Sequence, residues 1–207
     1  MKKIRLIIEL TILYIILPII YILFFKGISL IPFLILLGII SYSILHFDKT
    51  FNFKDTLSYE KVKNIKQRTI VFFITSIAAA IFIYFNANER FLYLVFELSY
   101  FTIFFPILYT LFSVLPQTLF FRTLFFHRYS QLFKSKKHSI LISSILFSYS
   151  HIVLLNLPAI ILTLIGGLVF SFYYSKDKST LASILEHGAY GSILFVLGFG
   201  IYLYSGA

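Results

Sequence analysis

Long apolar blocks separated by short polar stretches run the length of this chain, and a helix needs about 20 mainly apolar residues to cross a bilayer's hydrocarbon core. Blocks of suitable character lie at residues 6 to 25, 28 to 46, 69 to 85, 91 to 115, 140 to 155, 157 to 174, 180 to 190 and 191 to 205. The first is too long, and too lacking in a small-residue cleavage site, to be a simple signal peptide, so it reads as a retained helix. The last two are short and punctuated by Gly188, Gly191, Gly198 and Gly200, which describes either one broken pair or one long tilted helix. The expected fold is all-α: a polytopic membrane helix bundle of seven or eight transmembrane helices. Residues 1–207 read as one membrane domain, with N-terminal helices over 1–90 and the chemistry-bearing helices over 91–207.

Composition supports the spans. With 59% hydrophobic residues, 26 Phe and only 13% charged residues, the chain is far more apolar than a soluble domain. The absence of Cys excludes disulfides, iron–sulfur ligation and a catalytic thiol. With no Trp, an interfacial aromatic belt must come from the 15 Tyr.

Charge adds an orientation. If the N-terminus with Lys2, Lys3 and Arg5 is cytoplasmic, sixteen of the eighteen Lys and Arg fall on that side, leaving only Lys26 and Arg90 opposite. This is the asymmetry the positive-inside rule describes, and it places a multi-pass protein in the plasma membrane with its N-terminus cytoplasmic. The net charge of +10 is a topology signal and an attraction to anionic headgroups in the lipid bilayer. It does not imply nucleic acid, since no soluble domain carries a basic face.

Against this background three side chains stand out: Arg122 in PQTLFFR, His151 in FSYSH and His187 in SILEHGAYG. Ionisable groups at membrane depth are costly and mark functional sites by default. Each lies on a separate predicted helix, so a site formed from them is assembled by packing. Phe147 and His151 are helical neighbours at i, i+4, as are His187 and Gly191, and Gly191 lets another backbone approach near His187. Converging imidazoles can activate a water, stabilise an oxyanion or hold a metal. Two His without a third convincing ligand are a weak zinc signal, so no metal and no cofactor is expected. The structural alternatives are snorkelling for Arg122, as for Arg128, and a satisfied interhelical hydrogen bond for each His. Pro106 and Pro116 are expected to kink or end the helix entering the first motif, and Pro158 to start the one after Asn156. His127 and His138, among basic loop residues, read as solvated.

The order PQTLFFR, FSYSH, SILEHGAYGS resembles the CPBP family of intramembrane endopeptidases, which includes the type II CAAX prenyl proteases and bacteriocin-processing proteins. That family carries Glu-Glu-x-x-x-Arg, Phe-x-x-x-His and a later His followed by Asn, on separate helices. The resemblance spans roughly residues 105 to 205; Phe147 with His151, and Arg122 after Phe121, match fully. It implies a catalytic set of Gln117, Thr118, Arg122, His151 and His187, with Phe121, Phe147, Gly191 and Ser192 at the substrate. It further implies a water activated by glutamate, histidines on the scissile carbonyl, and no metal. Here Gln117 and Thr118 stand where the family has its glutamates, and Gly191 or Ser192 where it has Asn.

Neither an amide nor a hydroxyl is a base at neutral pH. Of the eight carboxylates only Glu97, Glu186 and Glu9 fall in or beside spans: Glu97 in the outer third of its helix, Glu9 near headgroups, and Glu186 on a different helical face from His187. A His151 base acting on water is chemically reasonable. Two functions follow. One is hydrolysis of a peptide bond in a membrane-associated peptide, prenylated or not, near the cytoplasmic face. The other is a catalytically dead, protease-like protein that binds a peptide, a partner or a bacteriocin-like ligand. A transporter would want discontinuous helix pairs and repeat symmetry, which the chain lacks.

Overall fold

The computed structural model describes residues 2–58, 62–97 and 99–203; Glu60, Lys61, Leu98 and the predicted helix end at 204–205 lie outside them. Among the described residues every long element is a helix and there is no strand. Six helices are long and apolar enough to cross a membrane: α1 (Lys3–Phe24), α2 (Leu30–Phe47), α3 (Ile65–Asn86), α4 (Thr102–Leu132), α6 (Leu157–Asp177) and α7 (Thr180–Leu203). Between α4 and α6 runs the shorter α5 (Lys136–Ser150), which tightens into a final turn at His151–Leu154. The chain is thus an all-α, multi-pass membrane protein.

Local chemistry sets the helix ends. Ser29, Ser135, Asn156 and Ser179 each cap a helix by accepting a hydrogen bond from a backbone N–H of the first turn. Pro158 sits in the first turn of α6, where a missing N–H costs nothing. Pro106 and Pro116 neither end nor split α4, contrary to one expectation. Wide i→i+5 turns at Thr110–Val114 and Leu119–Tyr129 follow them and carry one continuous helix through. The apolar pair expected at 180–190 and 191–205 is likewise one helix, bent at Gly198, whose φ of 113° an L-residue rarely adopts.

Apolar side chains face outward as well as inward. On α3, Ile70, Phe73, Ile74, Ile77 and Ile81 are all exposed along one stripe, as lipid contact requires. Inside, Tyr14 of α1, Phe120, Phe125 and Tyr129 of α4 and Leu45 of α2 are almost wholly buried. The Tyr14 hydroxyl donates to the Phe120 carbonyl at 2.7 Å, and the two rings stack at 4.2 Å.

Contacts between helix ends give the bundle two unlike faces. At one end Arg128 pairs with Glu9 through two bonds of 2.5 and 2.8 Å, and the Tyr129 hydroxyl donates to the same carboxylate at 2.5 Å. Arg128 and Glu9 are therefore partnered with each other across the two helices. Beside them His127 lies 3.1 Å from Asp48, so it is not simply solvated. Arg68 joins Asp177 and, at 2.5 Å, Glu186, its guanidinium stacked over Tyr173. The Ser179 hydroxyl donates to the Ser58 carbonyl at 2.9 Å at this same end. At the opposite end the Asn156 amide donates to the Tyr202 carbonyl at 2.9 Å, and Tyr21 bonds the Ile28 carbonyl. Most of the lysines and arginines gather at the first, basic end; Lys26 and Arg90 lie in connections at the other.

Candidate active site

The motif residues come from three helices, and the packing sorts them into two groups. A chamber of about 1080 Å³ lies between α1, α2, α4, the α5–α6 connection and α7. Its walls are mostly aliphatic and aromatic. Its polar groups include Ser113 and Gln117 of α4, Ser150 and His151 at the end of α5, and the Tyr109 phenol. Gln117 and His151 therefore share one chamber. Thr118, Arg122, Gly191, Ser192 and His187 do not line it.

Gln117 is 8% exposed, and its Nε2 donates to Ser113 Oγ at 2.8 Å. Its Oε1 has no partner among the described residues, and neither has the Thr118 hydroxyl. An unsatisfied buried acceptor costs roughly 1–3 kcal/mol, and the Gln117 oxygen is itself covered, so the residue presents other parts of its side chain to the chamber. Phe121, the next chamber residue but one along α4, packs edge-on against Phe147 at 5.2 Å.

His151 is held by its own helix. Its Nδ1 lies 2.7 Å from the Phe147 carbonyl, four residues earlier, and a carbonyl can only accept. The proton therefore sits on Nδ1, which leaves the Nε2 lone pair as the free basic position. The Phe147 ring meets His151 edge-on at 4.8 Å. On its other contacts that same ring meets His187 at 5.6 Å and lies 4.7 Å beneath the Arg122 guanidinium.

Arg122 is 2% exposed, and none of its hydrogen bonds or ion pairs among the described residues is to a carboxylate. Its Nη1 donates to the Phe121 carbonyl at 3.0 Å and to Ser143 Oγ at 3.1 Å, and Nε has no partner among the described residues. The charge is held by a carbonyl, a hydroxyl and two aromatic faces, Phe147 and Phe170. His187 stacks on Phe170 at 4.8 Å. It reaches His151 through Phe147, and no hydrogen bond joins the two imidazoles. Arg122, His151 and His187 thus all touch Phe147, while only His151 of the three lines the chamber. Gly191 serves a different neighbour: the Tyr109 phenol fills the space where a Cβ would be.

No carboxylate lines the chamber among the described residues. Glu9 and Glu186 are engaged in the ion pairs at the basic end, and Glu97 is exposed. Among the described residues no three His, Cys, Asp or Glu cluster as metal ligands. The chamber reaches Gly27, Ser29, Arg90, Leu154 and Leu203, at the end opposite the basic cluster. Tyr109 and Ser113 carry no motif signal and read in the sequence only as residues of an apolar helix; their place in the chamber arises from the wide turn between them.

Residues 99–193 match the family described as type II CAAX prenyl endopeptidase Rce1-like. This segment is similar to that family. It contains all five candidate catalytic positions together with Phe121, Phe147, Gly191 and Ser192. Helices α1 and α2, which lie outside the Rce1-like segment, supply much of the remaining chamber wall. No curated protein and no solved structure matches the chain.

Proposed function

We propose that this protein is an intramembrane endopeptidase of the CPBP type, which hydrolyses a peptide bond of a membrane-associated peptide lodged in the chamber. The observation that carries the reading is the His151 imidazole, anchored through Nδ1 on the chamber wall, with its Nε2 lone pair free. Nε2 takes a proton from water as the oxygen attacks the scissile carbonyl carbon. Gln117, on the same wall, shapes the place in which that water is held. Collapse of the tetrahedral intermediate breaks the C–N bond, and the imidazolium returns its proton to the leaving amine. Thr118, Arg122 and His187 are positioning residues in this scheme: Arg122 and His187 hold Phe147, whose carbonyl fixes the His151 tautomer. The apolar walls suit a hydrophobic peptide or a lipid-bearing one, prenylated or not.

The same reading places the protein in the plasma membrane with its N-terminus cytoplasmic, because the basic end carries most of the cationic residues. A second reading, peptide binding without hydrolysis, draws on a specific observation, the lack of a chamber carboxylate among the described residues. Purified protein in liposomes, offered a panel of membrane-inserted peptides with free and prenylated termini, separates them. Cleavage lost in His151→Ala with peptide binding retained supports the enzyme. Binding with no cleavage of any peptide by the native protein supports the second reading and ends the first.

A further inference from the structure

The chamber is closed toward the basic end. No described residue of α1 before Leu13, of α2 beyond Leu37, of α4 beyond Phe121 or of α6 lines it. Its floor is Tyr14, Leu37, Phe120 and Phe121, each at most 5% exposed. Beneath the floor lie Phe125 and Tyr129, both fully buried, and then the ion pair that ties α1 to α4. Close-packed side chains of this kind leave no passage for water or a peptide from the basic end. At the other end, Gly27 and Ser29 of the α1–α2 connection, Arg90 before α4, Leu154 of the α5–α6 connection and Leu203 form the rim.

The charge asymmetry makes the basic end cytoplasmic, since translocating those lysines and arginines across an energised membrane is disfavoured. We infer that the chamber opens to the non-cytoplasmic side, so that its substrate is an exported, membrane-associated peptide reaching His151 and Gln117 from the outer leaflet or the exterior. The inference rests on the proposed site and orientation, and it specifies the substrate class of that site. A peptide still attached to the cytoplasmic face is not within its reach.

Because the chain has no Cys, each introduced thiol is unique. Three single variants test the geometry in intact cells with a small charged methanethiosulfonate: Ser29→Cys at the rim, Ser150→Cys on the wall beside His151, and Ser135→Cys at the basic end. The S29C and S150C proteins should react in intact cells, and S135C only after permeabilisation. Reaction of S135C but not S29C in intact cells overturns the inference by inverting the molecule. Reaction of S29C with S150C protected before and after permeabilisation overturns it by sealing the chamber. If S150C does not reach the membrane, Ser113→Cys, on the chamber wall a turn from Gln117, takes its place. Labelling needs no turnover, so the same pattern in a His151→Ala background holds or fails independently of the proteolytic reading.

Discussion

The Phe147 carbonyl accepts a hydrogen bond from His151 Nδ1 at 2.7 Å, so one residue of the Phe-x-x-x-His motif sets the tautomer of the other. The phenyl ring of the same Phe147 touches His187 and underlies the Arg122 guanidinium. Phe147 is therefore the one side chain that all three polar motif residues touch.

If His151 Nε2 is the base, His151→Ala should lower turnover of a membrane peptide by about 10²- to 10⁴-fold, the usual range for a general base. His151→Gln should do the same, since an amide cannot take the proton. Peptide cleavage by each variant in liposomes, with thermal unfolding as a folding control, checks this; unchanged cleavage removes His151 from the chemistry.

Gln117 and Thr118 are predicted to behave differently although they are neighbours in the same motif. Gln117→Glu puts a carboxylate on the chamber wall and should raise turnover. Thr118→Glu buries a carboxylate at a site that is 1% exposed and off the chamber, and should destabilise the fold without raising turnover. Equal gains from both would show that Thr118 also reaches the water.

Gly191→Ala drives a methyl into the Tyr109 phenol and should cost about 1–3 kcal/mol through overpacking. Adding Tyr109→Ala should recover most of that loss, which unfolding of the single and double variants measures. A Gly191→Ala protein as stable as the native one would mean that Tyr109 swings away freely.

Removing Arg68 strands two carboxylates at the basic end, Asp177 with a 2% exposed side chain and Glu186 with one 17% exposed. Arg68→Ala should destabilise by about 3–5 kcal/mol, more than the Arg128→Ala change at the more exposed Glu9 pair. Denaturation of both variants in the same detergent tests the ranking.

Asp48, beyond the end of α2, accepts from the Thr50 hydroxyl at 2.6 Å and the Thr50 N–H at 3.0 Å. These bonds, the hydroxyl's first and His127 after them, hold its carboxyl down to about 2. Because the folded value lies below the unfolded one of about 3.9, the stabilisation is fully present above that value and fades as the pH falls through the folded one. Asp48→Asn should therefore lose about 1 kcal/mol at neutral pH and approach the native protein in strong acid. A difference that persists unchanged into strong acid would place the effect elsewhere.

Much of this molecule was legible before folding was considered. Hydropathy is a sum over neighbouring residues, so the spans and the all-helical class follow from composition along the chain. The basic residues likewise mark one end, since most of them lie at helix boundaries or in connections. Motif order pointed to the Rce1-like segment because the residues of each motif are local.

What the chain alone left open depends on relations between helices. Whether Gln117 or Thr118 meets the chamber turns on a wide helical turn that shifts the angle of every later side chain. The partner of Arg128 is Glu9, 119 residues away, and the buried Arg122 finds hydroxyl, carbonyl and aromatic partners in place of an acid. The contact of Phe147 with both His151 and His187, and the closure of the chamber toward the basic end, are packing outcomes of several helices at once. Local sequence determined which segments enter the membrane, because transfer from water is an additive property of each segment; tertiary structure decided which side chains face one another, because that is set by the joint geometry of the helices that carry them.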